Sequence, residues 1–299
     1  MPIQQTHYSP KQIAESLSVS ESSVKRWCDR GVIPTIRTVG GHRRITPEGL
    51  HTFLRTSNRS LVNPGVLGFA VLPSTRSTRI PGSDDPQRRQ FREALASGDE
   101  ETCQTIFAER VSDGWSVAEV AEDLISEAMK GVGDAWESQE IDVYQERRSC
   151  GICLRLLGQA RASLPALPES APVAIGGTAS GDPYELATVM VELALREAGW
   201  NATNLGTNLP IESFIQAAYD YKPKLLWLSI SIIDNPTLFT SAQIRLANSL
   251  DDDVSLIVGG RGLNDQIRPN LQYTAHCDSL RHLVELATVM RNSLTHPDT

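Results

Sequence analysis

The sequence predicts a multidomain protein: a winged helix-turn-helix, then a helical bundle, then an α/β doubly wound parallel sheet of the flavodoxin or Rossmann-like class. Three observations predict this order. Basic residues concentrate near the N-terminus, apolar residues recur with helical spacing up to residue 164, and short apolar runs alternate with amphipathic stretches after Pro165. The predicted boundaries are 1–57 for the first domain, 58–86 for a linker, 87–165 for a four-helix bundle and 170–299 for the sheet domain.

Charge is distributed unevenly along the 299 residues. The whole chain carries a formal net charge of −8, yet residues 1–55 hold eight Lys and Arg against four acidic residues. A basic head on an acidic body indicates that only the first segment meets a polyanion. No apolar run approaches the roughly 18 residues of a membrane-spanning helix, and the first residues lack a secretory-signal layout, so we expect a cytoplasmic protein with no membrane partner.

Five scattered cysteines do not form a disulfide framework. Only Cys150 and Cys153 are close enough to share one side of a helix. No second Cys or His pair stands at zinc-ligand spacing, which favours buried small hydrophobic residues over metal ligands.

The head begins with two short helices that carry clear start signals. Ser9 and Pro10 begin the first helix, and Gln12 stands where its side chain can reach back to the cap. Ser20 caps a second helix after a tight turn, and Gly31 ends it. The residues expected to face inward are Ile13, Ala14, Leu17, Val24, Trp27 and Cys28. Two helices joined by a short turn make a helix-turn-helix.

Candidate DNA contacts follow from this arrangement. The second helix presents polar and basic side chains of the types that contact base edges and phosphates in a major groove. Residues 36–45 then form two extended arms around a Gly-Gly turn, a wing whose basic side chains can neutralise phosphates. The predicted DNA-binding residues are Ser22, Ser23, Lys25, Arg26, Arg37, His42, Arg43 and Arg44. The alternative is a solvated basic hairpin on a protein-binding domain.

The pairs Arg26-Trp27 and Gly40-Gly41, with the following His42-Arg43-Arg44, resemble the MerR-type winged helix and, less specifically, the excisionase-type helix-turn-helix. The resemblance covers about residues 6–55. It implies binding to double-stranded promoter DNA as a dimer, with a palindromic operator. The long C-terminal coiled-coil helix of many such regulators is missing, so self-association is expected to come from the body.

The body is predicted as a bundle followed by alternating strands and helices. Its bundle helices are expected around Phe91–Ala96, Thr102–Val111, Val117–Trp136 and Glu146–Leu164. Strands are predicted at Val173–Gly177, Ala202–Gly206, Lys224–Ser231, Val254–Gly260 and Tyr273–Cys277. Helices are predicted at Glu185–Ala198, Ile211–Tyr221, Pro236–Leu250 and Leu280–Ser293. Such a sheet places ligand chemistry at the carboxyl ends of its strands.

Trp136 is followed ten residues later by Glu146, which matches the Trp-x9-Glu-His signature of the light-sensing CarH/LitR repressor group. The bundle and the sheet resemble the cobalamin-binding module of that group, and together with the head the resemblance covers nearly the whole chain, from about residue 6 to 299. The resemblance implies that Trp136, Glu146 and Arg147, which stands at the His position, lie over the upper face of the cofactor. Apart from the resemblance, Trp136 is a candidate for core or interface packing, and Arg147 for an ion pair with the sheet domain.

The lower side of the implied cofactor site departs from the family. Its Asp-x-His-x-x-Gly motif, whose His ligates cobalt, corresponds here to Asp182, Tyr184 in the axial His position, and Ala187 in place of Gly. A neutral phenol is a poor substitute for imidazole as a cobalt ligand. The resemblance further implies that a Ser-containing loop holds the buried nucleotide tail and that a Gly pair admits it. The matching residues are Ser229, Ser231, Gly259 and Gly260.

Three readings of the body therefore stay open: cobalamin, as adenosylcobalamin, bound with its own base or without a protein ligand; a cofactor-free module for dimerisation or protein interaction; and a different small ligand. The resemblance implies a repressor, a dimer or tetramer, and control of oligomerisation by light. An enzyme is not expected, because no dinucleotide, phosphate-loop or nucleophile-elbow motif is present. A corrinoid methyl carrier would need the axial His.

Overall fold

The computed structural model describes residues 7–37, 43–46, 49–50, 53, 57, 64–67 and 85–295. The predicted His42 contact and the Gly40-Gly41 turn lie outside these residues. None of the helices in the described ranges is long and apolar enough to span a bilayer.

The head folds as predicted around two capped helices. Helix α1 (Pro10–Ser16) has the full capping box between Ser9 and Gln12, and α2 (Glu21–Asp29) is capped by Ser20. Strands β1 (Thr35–Arg37) and β2 (Arg43–Ile45) pair antiparallel, which confirms the two arms of the wing. Tyr8 adds a bridge to Ile45 on the other edge of β2, with N to O distances of 2.8 and 2.9 Å.

Part of the predicted linker docks onto both halves of the protein. Residues Pro64–Leu67 form a short 3-10 helix that packs against α1 of the head and the last helix of the chain. Leu67 is fully buried there. Val66 and Leu67, the first residues of a short apolar run inside the predicted linker, belong to this docked helix.

The bundle consists of four helical segments, as predicted. They are α3 (Pro86–Ser97), α4 (Glu100–Ser112), α5 (Val117–Glu137) and α6 (Val143–Ser163). The third segment differs from expectation because its middle, Ala121–Ser126, winds as a π-helix. Asp123 lies in this wider turn and forms an ion pair with Arg88 of α3. Its other carboxylate oxygen lies 3.7 Å from Nη1 of Arg110 on α4.

The remaining residues form a five-stranded parallel sheet covered on both faces. Its strands are β3 (Val173–Gly177), β4 (Asn201–Asn204), β5 (Leu225–Ser229), β6 (Ser255–Gly259) and β7 (Ala275–Cys277). The helices are α7 (Leu186–Glu197), α8 (Ile211–Tyr221), α9 (Pro236–Ser249) and α10 (Leu280–Thr295). The strand order β4-β3-β5-β6-β7 is that of the flavodoxin-like doubly wound fold.

Alternate residues of β5 separate two apolar cores. Leu225 and Trp227 belong to the core shared with α7, α10 and the bundle, whereas Leu226 and Leu228 face the core under α8 and α9. All are fully buried, as expected for a central parallel strand. The bundle packs against α7 and α10, the helices that cover this face of the sheet.

Candidate DNA interface and ligand cleft

The outer face of α2 carries the predicted groove contacts. Ser22, Lys25 and Arg26 are exposed, whereas Ser23 is half-buried and holds the helix start through its contacts with Ser20. The Nζ of Lys25 also lies 2.8 Å from a carboxylate oxygen of Glu21, one turn earlier in the helix. Because that pair is exposed, its contribution to stability is small and a phosphate can replace the carboxylate.

The basic side chains of the wing differ in availability. Arg43 is paired with Asp29 at the end of α2, and this pair fixes the second wing strand, β2, against α2. Arg44 is half-buried, with its guanidinium 3.4 Å from the Arg43 carbonyl. Arg37 lies opposite Arg43 in the strand pairing. The structure thus brings α2 and the wing strands together into one basic surface.

The junction between the bundle and the sheet centres on Arg261, which follows the Gly259-Gly260 pair. Its guanidinium carbon lies 5.5 Å from the ring centroid of Tyr184. On the bundle side, its Nη1 is 3.9 Å from where a Cβ at Gly133 of α5 would stand. Burial raises the pKa of the Cys150 thiol on α6 to about 12, and the charge of Arg261 opposes part of that rise. One cation therefore lies against α5, α6 and the loop after β3.

Asp182 joins two loops at the carboxyl edge of the sheet. Its buried carboxylate accepts a hydrogen bond from the Ser231 amide at 2.6 Å and from the Tyr184 amide at 3.1 Å. Burial raises the pKa of Asp182, and the amides together with Arg261 oppose this. The carboxylate thus fixes the loop after β3 to the loop after β5.

The upper-face residues of the predicted signature lie at adjoining ends of α5 and α6. Trp136 is 42% exposed on the last turn of α5. Glu146 on the first turn of α6 accepts from the Cys150 thiol at 3.3 Å, and its other oxygen lies 3.4 Å from Arg147. The expected ion pair of Arg147 with the sheet domain is therefore wrong, because its nearest acid belongs to its own helix. Cys150 is half-buried and hydrogen-bonded, while Cys153 is fully buried as expected.

The small residues at the strand ends serve the packing of the sheet itself. Ser229 is buried at the end of β5 and pairs with Gly259. A Cβ at Gly259 would stand 2.6 Å from the carbonyl of Cys277, and one at Gly260 would collide with the carbonyl of Ile230. Gly260 also has φ of +117°, a backbone region that favours glycine.

Comparisons with known proteins match three segments of the chain. A helix-turn-helix domain family matches residues 8–58, and two B12 binding domain families match residues 87–160 and 172–280. The head is therefore similar to helix-turn-helix domains, and most of the remaining chain is similar to B12 binding domains. We call residues 87–295, which contain both matches and the helix that follows them, the B12-type body.

One relative is similar over almost the whole length. The HTH-type transcriptional repressor CarA of Myxococcus xanthus is 22% identical over 295 residues, which is 96% of this chain and 98% of CarA. Trimethylamine corrinoid protein 1 of Methanosarcina acetivorans is 22% identical over 175 residues, 56% of this chain and 80% of that protein. The chain is therefore similar to a transcriptional repressor over almost its whole length, and to corrinoid proteins over its C-terminal part.

A solved structure supports the fold of the B12-type body. The monomethylamine corrinoid protein of Methanosarcina barkeri superposes with a TM-score of 0.57 at 22% identity, covering 66% of this chain and 95% of that protein. The likeness shows that the bundle-plus-sheet architecture of the body also occurs in a solved structure.

The lower side of the junction does not fit a cobalamin ligated by the protein. A phenol, not an imidazole, stands at position 184, and the adjacent guanidinium of Arg261 has no lone pair to offer a metal. The glycine pair is required by the backbone of the chain's own loops. Of the residues predicted for the upper side, Trp136 and Glu146 lie at the end of α5 and the start of α6.

Sequence reasoning missed Arg261 and Trp227. Arg261 directly follows a strand end at the ligand edge of a doubly wound sheet, a position that marks a candidate site on its own. Trp227 lies inside an apolar run, where nothing in the pattern distinguishes it from the other core residues of β5.

Proposed function

We propose that this chain is a transcription regulator, acting as a repressor, whose basic head binds promoter DNA and whose B12-type body controls how many heads act together. The observation that carries the proposal is the set of basic side chains on α2 and the adjoining wing strands: Lys25 and Arg26 of α2 are exposed, and the two arginines of β2 are half-buried. This set belongs to a segment with twice as many basic as acidic residues, joined to an otherwise acidic chain.

The DNA part of the proposal assigns a role to each element. Ser22, Ser23, Lys25 and Arg26 of α2 enter the major groove of double-stranded DNA, while Arg37, His42, Arg43 and Arg44 of the wing contact phosphates or sugars. Arg43 additionally keeps the wing on α2 through Asp29. Phosphate contacts make such binding strongly dependent on salt.

Self-association of the B12-type body, as a dimer or tetramer, supplies the regulatory step. A second head held on the same assembly binds its half-site intramolecularly, so the affinity of the assembly exceeds that of one head. The docked segment Pro64–Leu67 supports this coupling, because it packs between α1 of the head and α10 of the body.

The input that we propose is a cobalamin held at the junction. Trp136 and Glu146 line its upper side, and Arg261 and Tyr184 lie on the sheet side. Adenosylcobalamin, which is photolabile, is the proposed form, and a response to light follows from that choice. The chain acts as a regulator and not as an enzyme in this proposal, because a corrinoid carrier would need the axial imidazole that Tyr184 replaces.

A second candidate is a cofactor-free body that serves as a constitutive dimerisation module. The observation that favours it is the pairing of Arg261 with Tyr184 at the position where the family places its cobalt ligand. The two candidates share the DNA-binding head and differ only in what controls the body.

One experiment separates them. The purified full-length protein is mixed with adenosylcobalamin in the dark and desalted, its visible spectrum is recorded, and its size is measured by size exclusion before and after illumination. The proposal expects a coloured protein whose size changes with ligand or light. A colourless protein of unchanged size that still binds DNA rejects the cobalamin input and leaves the cofactor-free module.

A further inference from the structure

The interior of the B12-type body contains a tryptophan directly beside the loop that the family uses for the nucleotide tail. Trp227 of β5 stands two residues before Ser229, on the same face of the strand, and is 2% exposed. Its indole lies against Gly176 of β3 so closely that a Cβ at position 176 would collide with the ring. The space between β3, β5 and α7 is therefore filled by a side chain of the protein.

Hydrogen bonds hold this indole in place. Its Nε1 donates to the hydroxyl of Thr188 on α7 at 2.9 Å, and that hydroxyl in turn donates to the side-chain oxygen of Asn204 at 3.1 Å. Asn204 also accepts from the Gly206 amide at 3.1 Å. The buried polar groups of Trp227 and Thr188 and the half-buried amide of Asn204 are satisfied within the chain. An entering aromatic group would have to break this network as well as displace the ring.

The entrance to the same region is also changed. Thr188 follows Ala187, which stands where the family motif has Gly. Tyr184 lies in the loop before α7, under the guanidinium of Arg261. Arg261 carries a fixed positive charge and five N–H donors but no acceptor, so it cannot ligate a metal. The packed indole of Trp227, its hydrogen-bond network and the Tyr184–Arg261 contact thus each oppose a cobalamin whose tail enters the sheet and whose cobalt is ligated by the protein.

Resting on the proposed cobalamin input, we infer that the B12-type body takes a corrinoid only with the nucleotide tail outside the sheet and without a protein nitrogen on cobalt. The ligand class is a base-on cobalamin, or a corrinoid that lacks the tail altogether. Trp227 selects against the tail-inserted form, and Arg261 with Tyr184 occupies the place of the lower protein ligand.

Tail dependence of affinity gives the first test. Equilibrium binding of cobalamin and of cobinamide, which lacks the nucleotide tail, is measured on the full-length protein. We expect the two Kd values to agree within about threefold, because the tail makes no buried contact. Loss of more than about 100-fold affinity with cobinamide would show that the tail is buried and would overturn the inference.

Electron paramagnetic resonance identifies the nitrogen below the metal. The protein is labelled uniformly with ¹⁵N, loaded with hydroxocobalamin and reduced chemically to the cobalt(II) state. A hyperfine triplet from the ¹⁴N of the cofactor's own base, or no nitrogen coupling, agrees with the inference, whereas a ¹⁵N doublet contradicts it. If the protein binds neither cobalamin nor cobinamide, the proposed cobalamin input is wrong, and this inference is wrong with it.

Matched variants test the part played by Trp227. Tyr184→His restores an imidazole, and Tyr184→Phe is its control. We expect Tyr184→His alone to keep the ¹⁴N pattern, and Tyr184→His with Trp227→Ala to gain the ¹⁵N doublet, because only the double variant has both the ligand and the space. A ¹⁵N doublet in Tyr184→His alone would show that Trp227 is no obstacle. Thermal unfolding confirms that each variant is folded.

Discussion

The carboxylate of Glu197, on α7 of the sheet domain, accepts hydrogen bonds from the amides of Val117 at 2.8 Å and Ala118 at 3.1 Å, at the start of α5 in the bundle. A matching contact runs the other way: Glu122 of α5 accepts from the Arg281 amide at 3.1 Å at the start of α10. Each half of the B12-type body thus supplies a carboxylate to a helix start of the other half. Two reciprocal contacts at helix starts therefore join the two halves.

Glu197→Ala is expected to destabilise the B12-type body by about 1–2 kcal/mol, the usual cost of removing a helix cap. The measurement is the free energy of unfolding in urea. Glu169→Ala changes an exposed glutamate outside the helices and is the control, with no change expected. Equal stability of both variants would mean that the Glu197 contacts do not hold the domains together.

The pH dependence of stability follows from the same carboxylates. Burial raises the pKa of Glu122 above its ordinary value of 4.5, and burial does the same for Glu197. The folded state therefore binds these protons more tightly than the unfolded state. The stability that this tighter proton binding gives the folded state is complete below pH 4.5, the ordinary pKa of a glutamate, and is lost as the pH rises through the pKa of the folded state. We expect the stability of the wild type relative to Glu122→Gln to fall as the pH is raised from about 4 to 7. A relative stability that rises with pH would contradict the burial of this group.

Asp85→Asn tests the buried ion pair at the start of the bundle. Asp85 caps α3, and its side chain, 4% exposed, pairs with Arg110, which is 3% exposed and stacks on Trp115 at 4.6 Å. Without the carboxylate, a buried guanidinium loses its main partner, and we expect a loss of about 3 kcal/mol in unfolding free energy. The exposed Asp113→Asn is the control. A loss below about 0.5 kcal/mol in Asp85→Asn would show that Asp123 alone suffices.

The wing is tested with Arg43→Ala combined with Arg44→Ala. We expect weaker binding to operator DNA and a salt dependence reduced by about one unit for each lost phosphate contact. Lys11→Ala on α1, outside the proposed DNA surface, is the control. If both affinity and salt slope stay at the wild-type values in the double variant, the wing does not contact DNA.

Local signals in the sequence predicted much of the fold. The capping box at Ser9 and Gln12, the Ser20 cap and the alternation of strands and helices each depend on residues close in the chain, and the structure has all of them. The π-helical turn at Ala121–Ser126 was not predictable in this way, because its pattern of apolar residues also fits an ordinary α-helix.

The candidate site was only partly predictable, because its contacts join residues distant in sequence. The sequence alone shows that position 184 has a tyrosine in place of the imidazole. It does not show that Arg261, 77 residues later, lies against this tyrosine. Trp227 and Gly176 likewise meet only because β3 and β5 are neighbours in the sheet. Motif spacing predicts which positions surround a site, whereas the side chains that fill it are set by tertiary packing.

Salt-dependent binding of the full-length protein to double-stranded DNA tests the central claim most directly. Fluorescence anisotropy is measured on a random double-stranded oligonucleotide pool and on sequences selected from it, over a series of salt concentrations. The account predicts binding whose logarithmic affinity falls linearly with the logarithm of salt concentration, and a selected sequence that binds more tightly than the pool. Absence of any salt-sensitive retention on duplex DNA would contradict it.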